Sequence, residues 1–343
     1  LDFPGAEAED TAMKRVNEMI ELFVIKEMEW LELVTESVSL EGRRYQAPRS
    51  IEATIVVKQG SQTYYSVSEG DTVLFKWNGK ELFRGIVFAR TPDEHTVAFT
   101  AYDMLQYLVK NQDVYVFSNQ RADQIIKRIA SDFQIPVTSI ANTGHTIKSL
   151  VFKNDTSLYD IILKALKQTK SQTGRHYQLY SEKGRLGLRE WPEPSEVWVL
   201  ETGVNITGYQ YSTSIDDTAT RVVMRLQKDN KTVKATAKDD SGMKTFGVLQ
   251  YTETVSDDIN EAQLKQRAKV KQAEKKGVKQ ELKNIQAIGI PGLESGLPVY
   301  ISIPEIGLEK TYYVDTDRHE FQGTKHTMTI DVTEKNVMPE GTS

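Results

Sequence analysis

The sequence contains no cysteine. Disulfide bonds, a thiolate nucleophile and cysteine metal ligands are therefore excluded; a reducing compartment is compatible with that. No apolar run approaches the ~20 residues that a membrane-spanning helix needs, and the N-terminus lacks the basic-then-apolar plan of a secretory signal. No membrane partner is expected. No G-x-x-x-x-G-K-[ST] loop supports nucleotide hydrolysis, and no G-x-S-x-G elbow supports a serine hydrolase. A strong charge of one sign is also missing. Lys and Arg number 43 against 48 Asp and Glu, a net charge of −5, which argues against wholesale electrostatic binding to nucleic acid or anionic lipid.

What is present suffices for two or three domains: 343 residues, 39% of them hydrophobic. The chain opens on Leu1, and Met13 is a candidate native start; residues 1–18 are read as a leader or expression remnant. Over residues 19–106 the pattern has period two. Ile51, Ala53, Ile55 and Val57 alternate with other residues, and so do Val73, Phe75 and Trp77. These last run into Asn78-Gly79, a strong hairpin signal because both positions tolerate positive φ. A return strand, Glu81–Ala89, and a further strand, His95–Ala101, complete five or six short strands, the pattern of a barrel or sandwich.

The period changes over residues 107–203. Ala122, Ile125, Ile126, Ile129, Ala130 and Phe133 share one helical face ahead of Pro136, and Leu158, Ile161, Ile162, Ala165 and Leu166 repeat it. Asp155, Thr156 and Ser157 offer N-caps and Gly174 a stop. A hairpin follows, Arg175–Ser181 and Arg185–Trp191. Strands return over 204–335: Val204–Ser212, Thr220–Gln227, Thr232–Lys238, Phe246–Thr254 and Lys279–Ile288 onward. One helix interrupts them at 258–276, with a capping box at Asp258-Ile259-Asn260-Glu261 and Gly277 just past its end. Residues 336–343 are a tail. The expected class is mainly β with an α+β insert, and the two β regions are similar enough in size to be copies of one module.

The candidate sites are few. His319-Glu320-Phe321-Gln322-Gly323 begins like a zinc-protease helix and fails where the second His is required, at Gly323. His326 lies across a turn, with alternating Val299, Ile301, Ile303 before and Met328, Ile330, Val332 after. The pair is read as passengers on closing strands, with no third ligand nearby. His95, His145 and His176 are scattered. Asp216-Asp217, Asp239-Asp240 and Asp257-Asp258 are read as turn and cap residues, because strand neighbours point to opposite faces. Lys265, Arg267, Lys269, Lys271, Lys275, Lys276, Lys279 and Lys283 make a basic stretch. It is read as a solvated face or a protein contact, because no aromatic residue interleaves with it. No catalytic, cofactor-binding or metal residue is assigned.

Five stretches, "WNGKELFRGIVF" (Trp77–Phe88), "AYDMLQYLVKN" (Ala101–Asn111), "DTSLYDIILKALKQT" (Asp155–Thr169), "YQLYSEKGRLGLRE" (Tyr177–Glu190) and the terminal "HTMTIDV", taken in this order and spacing, resemble the baseplate hub proteins of contractile phage tails. These belong to the late-control-protein-D family, in its YqbQ/XkdQ-like form. The resemblance implies two tube-type antiparallel β-barrels, at 19–106 and 204–335, with a small α+β domain at 107–203 between them. It implies a homotrimer that presents six barrels, an adaptor between a six-fold tail tube protein and a three-fold central spike protein. A tail lysin is a further partner, and DNA or an effector passes through the lumen without specific binding. The place implied is the bacterial host cytoplasm during assembly and then the tail baseplate of a phage or bacteriocin. The helix at 258–276 would lie outside the second barrel, its small Ala262, Ala268 and Ala273 allowing a neighbour to approach. Two other functions stay open: a cell-wall hydrolase or peptidoglycan-binding module, and a nucleic-acid contact through the lysine helix.

Overall fold

The computed structural model describes residues 20–27, 29–191, 197–228, 231–255 and 259–337. The leader at 1–18, the pair Asp257-Asp258 and residues 338–343 of the tail lie outside these. Two compact units result: one runs up to Tyr209 and resumes at Asn284, the other is Gln210–Lys283. The fold is mainly β.

In the first unit the chain forms β1 (Ile20–Lys26), β2 (Glu29–Glu32), β3 (Thr35–Arg43), β4 (Gln46–Val56), a short hairpin of β5 (Lys58–Gln59) and β6 (Gln62–Thr63), β7 (Thr72–Trp77), β8 (Lys80–Pro92) and β9 (Thr96–Tyr102). β2 and β3 are the halves of one bent strand. The first half pairs with β1 and the second with β4. At the corner Leu33 N donates to Leu22 O (2.8 Å) and Val56 N donates to Val34 O (2.7 Å). Pairing then continues β4–β9–β8–β7–β1, so the strands close into a ring. Alternation sends Leu22, Ile51, Ile55, Phe75, Val87 and Phe99 to one core. Asn78 and Gly79 take φ of 52° and 72°, as a two-residue hairpin turn requires.

The insert follows: α1 (Gln106–Lys110), β10 (Gln112–Arg121), α2 (Ala122–Asp132), β11 (Val137–Ile140), β12 (Thr146–Ser157), α3 (Leu158–Thr173), β13 (Tyr177–Glu182) and β14 (Arg185–Glu190). Ile125, Ile126 and Ile129 of α2 meet Leu158, Ile161 and Ile162 of α3 in a separate core. The Ser157 side chain accepts from Asp160 N, and Gly174 closes α3 in the left-handed region, as the cap residues suggest. The β10–β12 ribbon is not evident in the sequence. Val114, Val116 and Val151 are exposed on its outer face, so β10 reads as an unbroken apolar run without the polar alternation that marks a half-buried strand.

The chain then gives β15 (Trp198–Glu201) and β16 (Ile206–Ser214), and later β20 (Lys279–Ile288), β21 (Pro298–Ile303), β22 (Leu308–Gln322) and β23 (Lys325–Thr333). β15 and β16 again form a bent segment, held at its corner by Asn205, whose Oδ1 accepts from Glu201 N (2.8 Å) and whose Nδ2 donates to Val199 O (2.9 Å). The order is β16–β20–β23–β22–β21–β15. This is the connectivity of the first ring: bent strand, second, fifth, fourth, third. The first ring only adds β1.

The match reaches single bonds. Val56 N donating to Val34 O has its counterpart in Ile288 N donating to Asn205 O (2.9 Å). Gly70 N donates to Val87 O and Val87 N to Asp71 O; Gly296 N donates to Val314 O and Val314 N to Leu297 O. Gly70 and Gly296 have φ of 89° and 97°, a conformation that costs other residues dearly. Directly afterwards the register slips, between Val87 and Ala89 in β8 and between Val314 and Thr316 in β22.

The second unit holds β17 (Arg221–Lys228), β18 (Lys231–Lys238), α4 (Asp240–Phe246), β19 (Gln250–Val255) and α5 (Glu261–Lys275). The sheet order is β18–β17–β19. α5 buries Leu264 and Ala268 against Val222, Met224, Leu226 and Ala235. Ala268 therefore packs on its own sheet, and only Ala262 and Ala273 of the three small residues are exposed. α5 starts at Glu261 rather than 258, because Asn260 and Gln263 form the capping box, each side chain accepting from the other's backbone N–H at 2.9 Å. α4 takes Phe246 into a helix and shortens the strand expected there.

Candidate functional site

β22 has two kinds of neighbour on one edge. Leu308–Tyr313 pair with β21, and Thr316–Phe321 pair with β3 of the first ring. One strand thus belongs to both rings, and three buried polar residues of the first unit, Ser295, Asp317 and His319, meet along this seam. Arg49 of β4 donates to Asp317 twice, Nη1 to Oδ1 at 3.0 Å and Nη2 to Oδ2 at 2.6 Å. Ser295 N also donates to Asp317 Oδ1 (2.6 Å). Gly42 of β3 leaves room for this pair: a Cβ there would lie 2.2 Å from Arg49 Nη1. Burial by itself would raise the Asp317 carboxyl, but the Arg49 charge and its hydrogen bonds hold it below the ordinary value.

The two histidines come together here. His319 Nε2 lies 2.9 Å from Leu293 O, and His319 Nδ1 lies 3.0 Å from His326 Nε2. A carbonyl can only accept, so His319 carries its proton on Nε2 and offers Nδ1 as acceptor to the Nε2–H of His326. Both rings are neutral in this arrangement. Burial lowers the pKa of His319, with Asp317 opposing; burial and the His319 neighbour push His326 down to about 3. The His326 ring stacks on Phe321 at 4.1 Å and meets Trp77 at 5.8 Å. Its Nδ1 is buried with no hydrogen-bond partner among the described residues. Both nitrogens of His319 are engaged, and among the described residues no group of three or more His, Cys, Asp or Glu converges on a metal position. The two imidazole rings meet across the β22–β23 turn.

A cavity of about 350 Å³ lies beside the seam, lined among others by Tyr45, Arg49, Asp103, Tyr159, Trp191 and Glu294. Trp191 Nε1 donates to Gly296 O (3.0 Å), and its ring lies 5.0 Å from that of Tyr45. Burial raises the Asp103 carboxyl to about 7, against hydrogen bonds from the backbone of Leu105 and Arg49. Arg49 and Asp103 fall in β-strand and linker stretches with no local motif; only the fold brings Arg49 to Asp317 and Asp103 to Arg49.

The other candidates stay apart. Asp216 and Asp217 are exposed in a turn. Asp239 precedes α4 and lies 3.5 Å from Lys276 Nζ. Of the basic stretch, Lys271 pairs with Glu274 (3.4 Å), Lys283 pairs with Glu281 (2.6 Å), and Lys275 Nζ sits 4.7 Å from the centre of the Tyr251 ring. That aromatic partner comes from β19, and its distance in the chain hides it from a linear reading.

Comparison with known proteins agrees with this architecture. The phage-like element PBSX protein XkdQ of Bacillus subtilis (strain 168) is 86% identical over 325 residues, 95% of this chain and 100% of the relative. The 43 kDa tail protein of prophage MuSo2 from Shewanella oneidensis has the same fold, with a TM-score of 0.65 at 14% identity over 92% of this chain and 98% of that one. An E. coli component of the type VI secretion system, described as structurally similar to the T4 tail proteins gp27 and gp5, superposes with a TM-score of 0.54 at 9% identity, over 92% and 77% of the two chains. Residues 38–333 match the YQBQ-like family model. That match takes in the first ring from Val38 onward, the insert, the second ring and the seam, and the chain belongs to the YqbQ-like family of prophage tail proteins.

Proposed function

We propose that three copies of this chain form the structural hub of a contractile phage tail or tail-like bacteriocin. The two rings are read as two tube-type barrels, so that a trimer presents six similar modules to a six-fold tail tube and keeps a three-fold face for a central spike. The observation that carries this reading is the repeated strand order with its matched bonds, at Gly70/Val87 and Gly296/Val314. Two modules of one kind in one chain are what a mismatch between three and six calls for. The seam adds to it. Because β3 and β22 pair directly, the two modules sit in one continuous sheet, as adjacent staves around a lumen would. The fold shared with tail proteins supports the same role.

The test is solution mass, measured by light scattering on the full chain alone and together with its spike protein. A trimer in either sample is expected. A stable monomer in both would remove the adaptor function.

A further inference from the structure

The internal duplication also specifies a contact between copies. Matching the two rings residue by residue sets Tyr313 against Ile86, since each is the last residue paired with the third strand and the first paired with the fifth. The bulges then coincide, and Thr316–His319 of β22 correspond to Ala89–Pro92 of β8. On the other side, the equivalent bonds of Val34 and Asn205 set Leu40–Arg43 of β3 against Tyr211–Ser214 of β16. Within the chain the first member of each correspondence is used: Thr316 pairs with Arg43, Arg318 with Glu41 and His319 with Leu40. Arg318 and Glu41 even form an ion pair across it.

The second members are open. β8 pairs with β7 only as far as Ile86; the loop before β7 occupies Val87, and among the described residues Ala89–Pro92 have no strand on that edge. Among the described residues β16 ends the sheet path, with β20 as its ladder neighbour. Thr91, Pro92, Ser212, Thr213 and Ser214 are exposed. Unpaired edges of this kind are templates for another strand, and proteins blunt them with proline and polar residues; Pro92 and the Ser-Thr-Ser run do so here.

We infer that Ala89–Pro92 of one copy pair antiparallel with Tyr211–Ser214 of the next, in the register Ala89 to Ser214, Thr91 to Ser212 and Pro92 to Tyr211. The inference rests on the trimeric reading and deepens it. The two edges are different surfaces, so the contact is heterologous. The same contact made three times closes a ring, whereas a self-complementary patch would stop at a dimer. It is shorter than the internal seam, four residue pairs where that seam has six between Thr316–Phe321 and Val38–Arg43. The occupant of each edge is thus a second copy of this chain.

The absence of cysteine makes the test direct. Thr91→Cys and Ser212→Cys chains are prepared separately, mixed in the presence of the spike protein, and oxidised. Facing residues of an antiparallel pair have Cα atoms ~4.5–5.5 Å apart, within the range a disulfide spans. The expected result is loss of monomer to a covalent dimer on a non-reducing gel, absent when Thr207→Cys replaces Ser212→Cys. Thr207 is five residues away, ~17 Å along the strand. A trimeric mass without the Thr91–Ser212 crosslink, or with equal crosslinking at Thr207, overturns the register and leaves the trimer standing. A monomeric mass with the spike present overturns both.

Discussion

Asp317→Asn is the substitution that tests the seam most sharply. Asp317 is fully buried, accepts two hydrogen bonds from Arg49 and one from Ser295 N, and is the partner of a guanidinium whose own side chain is largely enclosed. An asparagine keeps the shape and an acceptor for Ser295, but leaves Arg49 as a buried charge without its counter-ion. Breaking a buried pair on one side costs ~3–5 kcal/mol. At ~2.1 cal/mol/K per residue, a unit of about 270 residues has an unfolding entropy near 0.6 kcal/mol/K, so the melting temperature should fall by roughly 5–9 °C. Calorimetry or a urea titration of the full chain reads this. The compensating pair Arg49→Met with Asp317→Leu should recover most of the loss, since the desolvation of both charges disappears with them. The pH dependence has a definite sign. The carboxyl is depressed in the fold, so its contribution is present above the unfolded value near 4 and is lost as pH falls through the folded one. Asp317→Asn should therefore differ from the parent at neutral pH and converge with it in acid. A cost below ~1 kcal/mol, or a double variant no better than the single one, would show that the seam does not depend on this pair.

Three further outcomes follow from the same region. Asp103→Asn should stabilise the protein as pH rises from about 4 to about 7, by at most ~4 kcal/mol. The carboxyl is raised to about 7 in the fold, so ionisation on that side of neutrality works against folding; unfolding midpoints at pH 5 and pH 8 check it, and an equal shift at both would refute it. Gly289→Ala would bring a Cβ within 2.2 Å of the His326 ring and should cost ~1–3 kcal/mol; a melting curve identical to the parent's is the contrary result. Addition of Zn²⁺ or of EDTA should leave the melting temperature unchanged, because both nitrogens of His319 are committed to Leu293 and His326; a zinc-dependent rise would mean that the pair recruits a third ligand.

Much of the fold was legible wherever one pattern governed a whole element. Asn78-Gly79 announced its hairpin, Ser157 and Gly174 bracketed α3, and the alternation of Val73, Phe75 and Trp77 marked β7. β10 and β12 were not, because Val114 and Val116 face solvent where alternation requires polar residues. The start of α5 shifted because two acceptors, Asp258 and Asn260, compete in sequence and the reciprocal Asn260–Gln263 bonds decide. α4 is two turns long, too short for periodicity to show. The size of the two β regions hinted at a repeat, but its connectivity was hidden: 64 residues, 215–278, separate β16 and β20, which neighbour each other in the sheet. Of the seam, His319 and His326 stood out as a facing pair. Arg49 and Asp317 did not, since they stand 268 positions apart and neither belongs to a local motif.

The shared strand also sets an order of events for synthesis. Phe321 fills a slot in the first ring's core, 4.9 Å from Phe75 and 5.0 Å from Trp77, yet it is translated more than 200 residues after them. Until the C-terminal segment leaves the ribosome, the N-terminal module keeps a vacant interior and a bare β3 flank. Long-range pairing of this sort forms slowly and exposes intermediates to association. Premature termination anywhere before Phe321 should therefore yield an aggregation-prone product rather than a usable N-terminal module, which makes the final strands a built-in proofreading step for chain completion.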